Sequence, residues 1–328
     1  MMSSSFRWGM SGAYLFVMDP LSRINPSGDS TFVMMLEAHR RGHRVYSCEV
    51  SDLELRGDQA YARVRPTVAQ RVNGAPFVVG TDETVALNDL GAVFMRKDPP
   101  VDVEFFMSLH LLDRVDRRRV VMVNDPASLA LCNEKLFAMR FPQLMPETLV
   151  ARRQDRIRAF IEEKGDVVVK PLNGAGGSGI LRLVRGDKNI RSAVELLTQE
   201  GRVAIVVQVY LPRVTEGDRR VLLIDGEAVG VINRRPQPDD IRSNMHVGGT
   251  AEATELSPRD REICGAIGPE LRRLGLVFVG IDVIDGRLTE INVTSPTGLQ
   301  EYARFSGVHL EVQLIDWVEK KSKELKSA

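Results

Sequence analysis

The most constraining feature of the chain is a glycine-rich loop between two short apolar runs. Residues 167–184 read VVVKPLNGAGGSGILRLV. Lys170 follows the first apolar run, and Ile180 begins the second. Such runs predict two strands joined as a hairpin. Between them lie Gly174, Gly176, Gly177 and Gly179. Because glycine has no Cβ, the backbone N–H groups of this loop can approach an anion closely, which makes the hairpin a candidate phosphate-binding lid.

Two common phosphate-binding loops do not fit this stretch. A P-loop has its Lys-Ser/Thr pair after the glycines, at the start of a helix, and a dinucleotide-binding loop also leads into a helix. Here Lys170 precedes the glycines, and an apolar strand-like run follows them. An ordinary glycine-rich turn with a surface lysine fits these residues equally well, so other parts of the chain must decide between the two interpretations.

A second pattern near the C-terminus predicts a metal site. Residues 277–293 read VFVGIDVIDGRLTEINV, in which apolar residues alternate with Asp282, Glu290 and Asn292. Strand periodicity places these three side chains on the face opposite the apolar residues. Carboxylate and amide oxygens suit Mg²⁺ held jointly with phosphates. The alternative is a solvated polar face, which lysine or threonine would form equally well; each of these three side chains instead carries a carboxylate or amide carbonyl oxygen, which favours the metal.

The metal hypothesis also predicts the register of this hairpin. Asp282 and Glu290 share a face only if the connecting loop has an odd number of residues. We therefore expect a three-residue loop, Asp285 to Arg287, that places Asp282 directly opposite Glu290. A two-residue Asp-Gly turn would instead pair Asp282 with Thr289 and send Glu290 to the other face.

Composition limits the remaining possibilities. The chain has 328 residues, enough for two or three domains, and its 43% apolar and 27% charged residues are typical of globular proteins. Lys+Arg and Asp+Glu both number 44, so the balanced charge argues against nucleic acid or an anionic membrane as a partner. Three widely separated cysteines indicate a reducing, cytoplasmic setting, and the five scattered histidines form no zinc motif. Residues 1–12 are expected to be a disordered leader, and the apolar run after them is too short to span a membrane.

The order of predicted elements gives a mixed α/β and α+β fold with three domains. Residues 1–132 should form an open α/β domain, residues 133–212 a small α+β lid, and residues 213–328 a mixed-sheet domain. The segment 52–88 shows only short strand-like pieces and receives no role. The main predicted strands are 13–18, 45–50, 92–95, 120–123, 148–151, 203–209, 219–224, 228–234, 277–284 and 288–293. The main predicted helices are 30–41, 103–115, 155–164, 190–198, 258–274 and 308–324.

Several short motifs together resemble the bacterial glutathione synthetases, a family of ATP-grasp ligases. They run in family order from MDP at 18–20, through MRKDPP at 95–100 and NEK at 133–135, to the glycine hairpin. They continue with QVYLP at 208–212, GDRRVL at 217–222 and LTEINVTSPT at 288–297. The resemblance covers nearly the whole chain after residue 12 and implies an ATP-grasp fold.

The resemblance also implies roles for individual residues. ATP phosphates would contact Lys135, Lys170, Gly174, Gly176, Gly177 and Ser178, the adenine would contact Gln208, Tyr210 and Leu211, and the ribose would contact Asp218. Magnesium, as two ions that manganese could replace, would bind Asp282, Glu290 and Asn292. Arg234, with Arg220 beside it, would stabilise the reacting groups. The peptide substrate would contact Asn244, Ser295, Pro296 and Thr297.

The implied reaction is the ATP-dependent ligation of γ-glutamylcysteine and glycine through an acyl phosphate, by a homotetramer. Some residues depart from the family pattern: Asn173 and Ala175 in the glycine loop, Gln300 where an arginine is frequent, and Ser243, Met245 and His246 in the substrate loop. These departures leave ATP use intact but weaken the assignment of the acceptor. Two alternatives fit the sequence less well. The motifs at 95–100 and 288–297 argue against another ATP-grasp carboxylate–amine ligase, and the complete acidic set, both lysines and Arg234 argue against a non-catalytic ATP-binding protein of the same fold.

Overall fold

The computed structural model describes residues 12–244 and 248–327. The predicted leader therefore lies outside the described residues, apart from Gly12. The first part of the chain forms one sheet with the strand order β3-β4-β2-β1-β7-β8, and β5 and β6 pair with β4. Its strands are β1 (Ala13–Val17), β2 (Arg44–Cys48), β3 (Leu53–Arg56), β4 (Gln59–Ala69), β5 (Phe77–Val79), β6 (Glu83–Ala86), β7 (Ala92–Met95) and β8 (Val121–Val123). Its helices are α1 (Ser30–Arg40), α2 (Val103–Leu112) and α3 (Pro126–Leu131).

The parallel part of this sheet follows the predicted β-α-β pattern. Strands β2, β1, β7 and β8 pair in parallel, whereas β4 pairs with β2 in the antiparallel direction. The segment 52–88, which had no predicted role, extends the sheet through the long strand β4. Helix α1 begins as predicted, because the Asp29 carboxylate accepts a hydrogen bond from the Phe32 N–H at 2.6 Å. Helix α2 ends at Leu112, three residues earlier than expected.

The second sheet carries the glycine hairpin. Its elements are α4 (Glu134–Ala138), β9 (Thr148–Ala151), α5 (Gln154–Lys164), β10 (Asp166–Pro171), β11 (Leu181–Val184), α6 (Ile190–Leu197) and β12 (Ile205–Val209). The strands are antiparallel in the order β11-β10-β12-β9. Val167 and Val169 of β10 pack with α5 and α6 in a separate apolar core. Because side chains alternate along a strand, Val168 and Lys170 face the other side of the sheet.

The third sheet is antiparallel, in the order β15-β14-β13-β16-β17. Its elements are β13 (Asp218–Ile224), β14 (Glu227–Arg235), β15 (Thr250–Ala253), α7 (Pro258–Arg273), β16 (Phe278–Ile284), β17 (Arg287–Asn292), α8 (Leu299–Ser306) and α9 (Leu310–Ser327). Apolar residues of the first and third sheets belong to common clusters, for example Leu15 with Ile281. The two sheets are therefore joined by a continuous core. Helix α8 was not predicted, and the final helix begins at Leu310 and reaches Ser327 rather than ending at Glu324.

The β16–β17 hairpin differs from its prediction in one respect and confirms it in another. The expected three-residue loop is wrong: Ile284 pairs with Arg287 across a two-residue Asp285-Gly286 turn. Asp282 nevertheless pairs with Glu290, as predicted, because a β-bulge shifts the register between Asp282 and Val283. Asp285 and Gly286 both have positive φ, of 50° and 68°, which is the conformation that an Asp-Gly hairpin turn favours. The Asp-Gly turn thus sets the loop length at two residues. The bulge adds Thr289 to β17 and so returns Glu290 to the face of Asp282.

Among the residues that the structure describes, no helix combines the length and the apolarity needed to cross a bilayer.

Candidate active site

One cavity of about 780 Å³ is lined by residues from all three sheets and their loops. Every site residue predicted from the sequence lies in its wall. These residues are Lys135, Lys170, Gly174, Gly176, Gly177, Ser178, Gln208, Tyr210, Leu211, Asp218, Arg220, Arg234, Asn244, Asp282, Glu290, Asn292, Ser295, Pro296 and Thr297. The structure therefore brings together residues that are far apart in the chain. The largest separation, between Lys135 and Thr297, is 162 positions.

The glycine hairpin and two lysines form one part of the wall. Lys170 is largely buried, and its Nζ lies 3.2 Å from Oε1 of Gln208. The Nζ of Lys135 donates to the carbonyl oxygen of Gly174 at 2.7 Å, so the second lysine touches the loop itself. Gly176 and Gly177 have φ values of 62° and 86°, in the left-handed region that favours glycine. Two ammonium groups beside a loop of this kind are suited to bind an anion.

The strand platform, which we define as Asp218, Arg220, Arg234, Asp282 and Glu290 on β13, β14, β16 and β17, faces the hairpin across the cavity. Arg220 donates its Nε to Oδ1 of Asp282 at 2.6 Å, and Arg234 Nη2 lies 2.9 Å from the same oxygen. These contacts follow from the sheet order, because Arg220 pairs with Asp282 in the β13–β16 register. All three side chains are almost fully buried.

The pKa values of the two platform aspartates, Asp282 and Asp218, are shifted in opposite directions. Burial opposes ionisation of Asp282, but Arg220 and Arg234 outweigh it and hold its pKa below the ordinary value. Burial raises the pKa of Asp218, and the single contact with Arg234, at 2.6 Å, does not reverse this. Asp218 also accepts a hydrogen bond from the Ser243 hydroxyl at 2.6 Å. Asp218 therefore holds the side chains of Arg234 and Ser243 in place in this structure.

The residues predicted to hold magnesium offer oxygen ligands of the kind that ion takes, although both Asp282 oxygens contact Arg220 in this structure. Asp282 and Glu290 stand opposite each other, and Asn292 lies two residues further along β17, opposite Gly280. The Nδ2 of Asn292 is buried without a hydrogen-bond partner among the described residues. The described residues contain no group of three His, Cys, Asp or Glu side chains that could hold a metal. Two carboxylates and one amide oxygen nonetheless suit Mg²⁺, which takes its remaining ligands from water and phosphate.

Glu134 is a site residue that the sequence analysis missed. It lies in the cavity wall beside Lys135, and its Oε1 accepts hydrogen bonds from the N–H groups of Val293 and Thr294 and from the Thr294 hydroxyl, at 2.8–3.2 Å. Burial and the neighbouring Glu290 raise its pKa. Glu134 thus joins the start of α4 to the end of β17. The NEK motif contained this signal, but only its lysine received a role.

Three of the predicted substrate residues, Ser295, Pro296 and Thr297, follow β17, and Thr297 contacts the platform. Thr297 accepts a hydrogen bond through its carbonyl oxygen from Arg220 Nη1 at 3.3 Å. The carbonyl oxygen of Pro296 accepts one from Arg96 Nη2 at 3.0 Å, and the Ser295 hydroxyl donates to the carbonyl oxygen of Arg96 at 3.3 Å. Arg96 belongs to the MRKDPP motif, which therefore braces this loop. Asn244 lies in the wall, whereas the predicted departures Met245 and His246 lie outside the described residues.

Solved structures place this fold in the ATP-grasp class. D-cycloserine synthetase DcsG superposes with a TM-score of 0.63 at 15% identity, covering 95% of this chain and 100% of that one. ATP-grasp ligase PsnB, in a complex with Mg and ADP, superposes with a TM-score of 0.63 at 19% identity, covering 94% and 98%. At such identities these similarities show the fold, and they confirm the ATP-grasp prediction.

Sequence relatives identify the family. Residues 13–130 match the model of the prokaryotic glutathione synthetase N-terminal domain, and residues 134–307 match that of its ATP-grasp domain. The chain is 46% identical over 304 residues to glutathione synthetase of Bradyrhizobium diazoefficiens, covering 93% of this chain and 96% of the relative. It is 47% identical over 304 residues to that of Rhodopseudomonas palustris, covering 93% and 97%. The chain belongs to the prokaryotic glutathione synthetase family, which confirms the resemblance inferred from its motifs.

Proposed function

We propose that this chain joins γ-glutamylcysteine to glycine with ATP, producing glutathione, ADP and phosphate. The observation that carries the proposal is the cavity in whose wall a glycine hairpin with two lysines and a platform of arginines and carboxylates come together. The family supports the same reaction. The cysteinyl carboxylate attacks the γ-phosphorus of ATP, which forms an acyl phosphate and releases ADP. The neutral amine of glycine then attacks the carbonyl carbon, and phosphate leaves.

The hairpin and the lysines would hold the nucleotide. Lys170 and Lys135 would contact phosphate oxygens, and Gly174, Gly176, Gly177 and Ser178 would close over them. Gln208, Tyr210 and Leu211 would hold the adenine and Asp218 the ribose. Closure of the hairpin would keep water away from the acyl phosphate, which water would otherwise hydrolyse.

Arg234 and Arg220 would stabilise the charge that develops during both steps. Their guanidinium groups are buried and already oriented by Asp218 and Asp282, so little rearrangement is needed when the substrate arrives. Asn244 and residues 295–297 would hold the dipeptide so that its cysteinyl carboxylate lies beside these arginines.

Asp282, Glu290 and Asn292 are the residues that would hold magnesium, as two ions for which manganese could substitute. When bound, the metal would neutralise phosphate charge and orient the transferred group. The three side chains contribute hard oxygen ligands on one face of β16 and β17.

We also propose the organisation and setting of the protein. Residues 1–132, 133–212 and 213–328 would act as an N-terminal domain, a lid and a catalytic domain, and each range contains one of the three sheets. A cytoplasmic setting is consistent with three cysteines that are all unpaired and buried. A homotetramer would cover the apolar side chains that α2 and α3 leave exposed, namely Val103, Phe106, Met107 and Leu131.

Phosphate release tests the proposed function. Purified protein is assayed with ATP, Mg²⁺, γ-glutamylcysteine and glycine, and each component is then omitted in turn. The proposal expects release, with glutathione formed in equal amount, only in the complete mixture. Release with a different acceptor amino acid in place of glycine would favour another ATP-grasp carboxylate–amine ligase. ATP binding without any turnover would favour the non-catalytic alternative.

A further inference from the structure

Part of the cavity wall is acidic and has no role in the proposed reaction. Asp19 and Asp98 follow β1 and β7, two neighbouring parallel strands whose carboxyl ends lie at the same edge of the sheet. Asp29 caps α1, and Glu301 lies in the first turn of α8. The charge of Asp19 is compensated by Lys97, whose Nζ lies 2.9 Å from Asp19 Oδ1. Asp29 and Asp98 interact electrostatically with the buried guanidinium of Arg96, and Glu301 forms an ion pair with Arg304, but all three carboxylates line the cavity, where a ligand could meet them.

Glu301 gives the clearest indication of a ligand. Only 4% of its surface is exposed, and its Oε1 accepts a hydrogen bond from Arg304 Nη2 at 2.9 Å. Its Oε2 is buried and has no hydrogen-bond partner among the described residues. A buried carboxylate oxygen without a partner is costly in free energy, so such a group points to a missing donor. Gly28 lies beside it: a Cβ built there would be 3.7 Å from Glu301 Oε1.

The loop that carries Asp29 is fixed to α8, which keeps these carboxylates together. Gln300 Nε2 donates to the carbonyl oxygens of Pro26, at 3.1 Å, and Asp29, at 2.6 Å. One Asp29 oxygen is occupied by the Phe32 N–H, and burial raises the pKa of this carboxyl. Gln300 is thus a structural brace here, at the position where the sequence departs from the family pattern.

One residue of this acidic wall, Glu301, is close in sequence to a residue that contacts the strand platform. Thr297, which contacts Arg220, lies one residue before Gly298, the residue that caps α8. γ-Glutamylcysteine is joined through the γ-carboxyl, so it extends further than the roughly 7 Å of a fully stretched α-linked dipeptide. A dipeptide whose cysteinyl carboxylate lies at Arg220 and Arg234 would therefore direct its other end along the wall past residues 295–297.

We propose that Glu301, with Asp29 and Asp98, forms a subsite for a primary ammonium group, and that this group is the α-ammonium of the γ-glutamyl residue. The inference rests on the proposed function. Glycine also carries an ammonium, but it must lose a proton before it attacks. Carboxylates around it would stabilise the charged form and oppose that loss. The α-ammonium of the dipeptide takes no part in the chemistry and can stay charged throughout.

N-glutarylcysteine provides the test, because it differs from γ-glutamylcysteine only in lacking the α-ammonium. Binding of each dipeptide is measured by titration calorimetry, and kcat/KM is measured with saturating ATP and glycine. The wild-type protein should prefer γ-glutamylcysteine by roughly tenfold to a hundredfold. Glu301→Gln should remove most of that preference, chiefly by raising KM for γ-glutamylcysteine, and should leave KM for ATP within about twofold.

Glu311→Gln is the matched control. Glu311 is also a buried glutamate with an unpartnered Oε2 among the described residues, but it lies on α9 outside the cavity wall. It should keep the full preference. Asp98→Asn, at an exposed position, replaces Glu301→Gln if that variant does not fold, and should lower the preference in the same direction.

Retention of the full preference by Glu301→Gln, or a rise in KM for glycine alone, would overturn the subsite. A wild-type protein that binds γ-glutamylcysteine more tightly than N-glutarylcysteine but releases no phosphate would contradict the proposed function while supporting the subsite. Turnover with equal kcat/KM for both dipeptides would support the function and overturn the subsite.

Discussion

The glycine hairpin and the strand platform face the same cavity but are held in different ways. The platform is fixed by buried ion pairs that link Asp218, Arg234, Asp282 and Arg220 within one sheet. The hairpin loop is held by fewer contacts, such as Lys135 Nζ to Gly174 and Asn133 Nδ2 to Leu172, and several of its residues are exposed. Under the proposed function, we therefore expect the platform to be organised before substrates bind and the nucleotide to complete the hairpin.

This contrast predicts two kinds of variant. Changes in the platform should lower kcat, because the proposed function places its charges at the reacting groups. Changes in the hairpin should raise KM for ATP, because the proposed function places its charges at the bound nucleotide. The variants below are ordered by the size of the expected effect.

Glu290→Gln should have the largest effect. The change keeps the size of the side chain but removes one of two opposed carboxylates, so kcat should fall by at least about 1000-fold. The midpoint of thermal unfolding should change little, because 17% of the Glu290 side chain is exposed and its ion pair with Lys135 is long, at 3.5 Å. Steady-state phosphate release and a thermal melt measure both quantities. Near-normal turnover would show that Glu290 is not a ligand of the metal.

Arg234→Lys should lower kcat by about 100-fold. Arg234 Nη2 contacts both Asp218 and Asp282, and lysine cannot reproduce the planar fork of donors that a guanidinium offers to a carboxylate and a phosphoryl group. KM for ATP should remain within a few-fold of the wild-type value. If turnover is unchanged, Arg220, Arg235 or Arg242 holds the role instead.

The outcome for β16 and β17 shows what the sequence can and cannot predict. Period-two alternation sufficed to place Glu290 and Asn292 on one face of β17, because that inference needs only local strand geometry. Their position on the same face as Asp282 depends on the bulge in the β16–β17 ladder. The Asp-Gly turn and the bulge were missed because the parity argument assumed a regular ladder. The Arg220–Asp282 pair could not be foreseen, since it depends on β13 lying next to β16, 62 residues away along the chain.

The same reasoning explains the other omissions. Helix α8 has only eight residues, from Leu299 to Ser306, between two glycines of positive φ, which leaves too short a pattern for a helical period to be recognised. The acidic wall combines residues near positions 19, 29, 98 and 301, which only the tertiary fold brings together. Motif resemblance identified the family, but it gave no role to Glu134 or Glu301.

Lys170→Ala should raise KM for ATP by about tenfold or more and leave the fold intact. The change removes a cation next to the anion-binding loop, whereas the platform charges stay in place. ATP-dependence curves for the variant and the wild-type protein give the comparison. An unchanged KM for ATP would show that the hairpin is not part of the active site, and the proposed difference between hairpin and platform would then be wrong.

Glu134→Ala should have the smallest effect, a decrease of about fivefold in kcat/KM for ATP. Its carboxylate touches the backbone of Val293 and Thr294 and thereby positions Lys135 against β17. Glu134→Gln should recover most of the loss, because the amide oxygen can accept the same hydrogen bonds. Equal defects in both variants would mean that the charge, rather than the positioning, matters.

Oxygen transfer from substrate to phosphate tests the central claim most directly. γ-Glutamylcysteine labelled with ¹⁸O in its cysteinyl carboxylate is converted in the presence of ATP, Mg²⁺ and glycine, and the released phosphate is analysed by mass spectrometry. The account predicts one ¹⁸O atom in each phosphate, because the carboxylate attacks the γ-phosphorus and the acyl phosphate later expels that oxygen with phosphate. Unlabelled phosphate, or ¹⁸O found in AMP, would contradict the account.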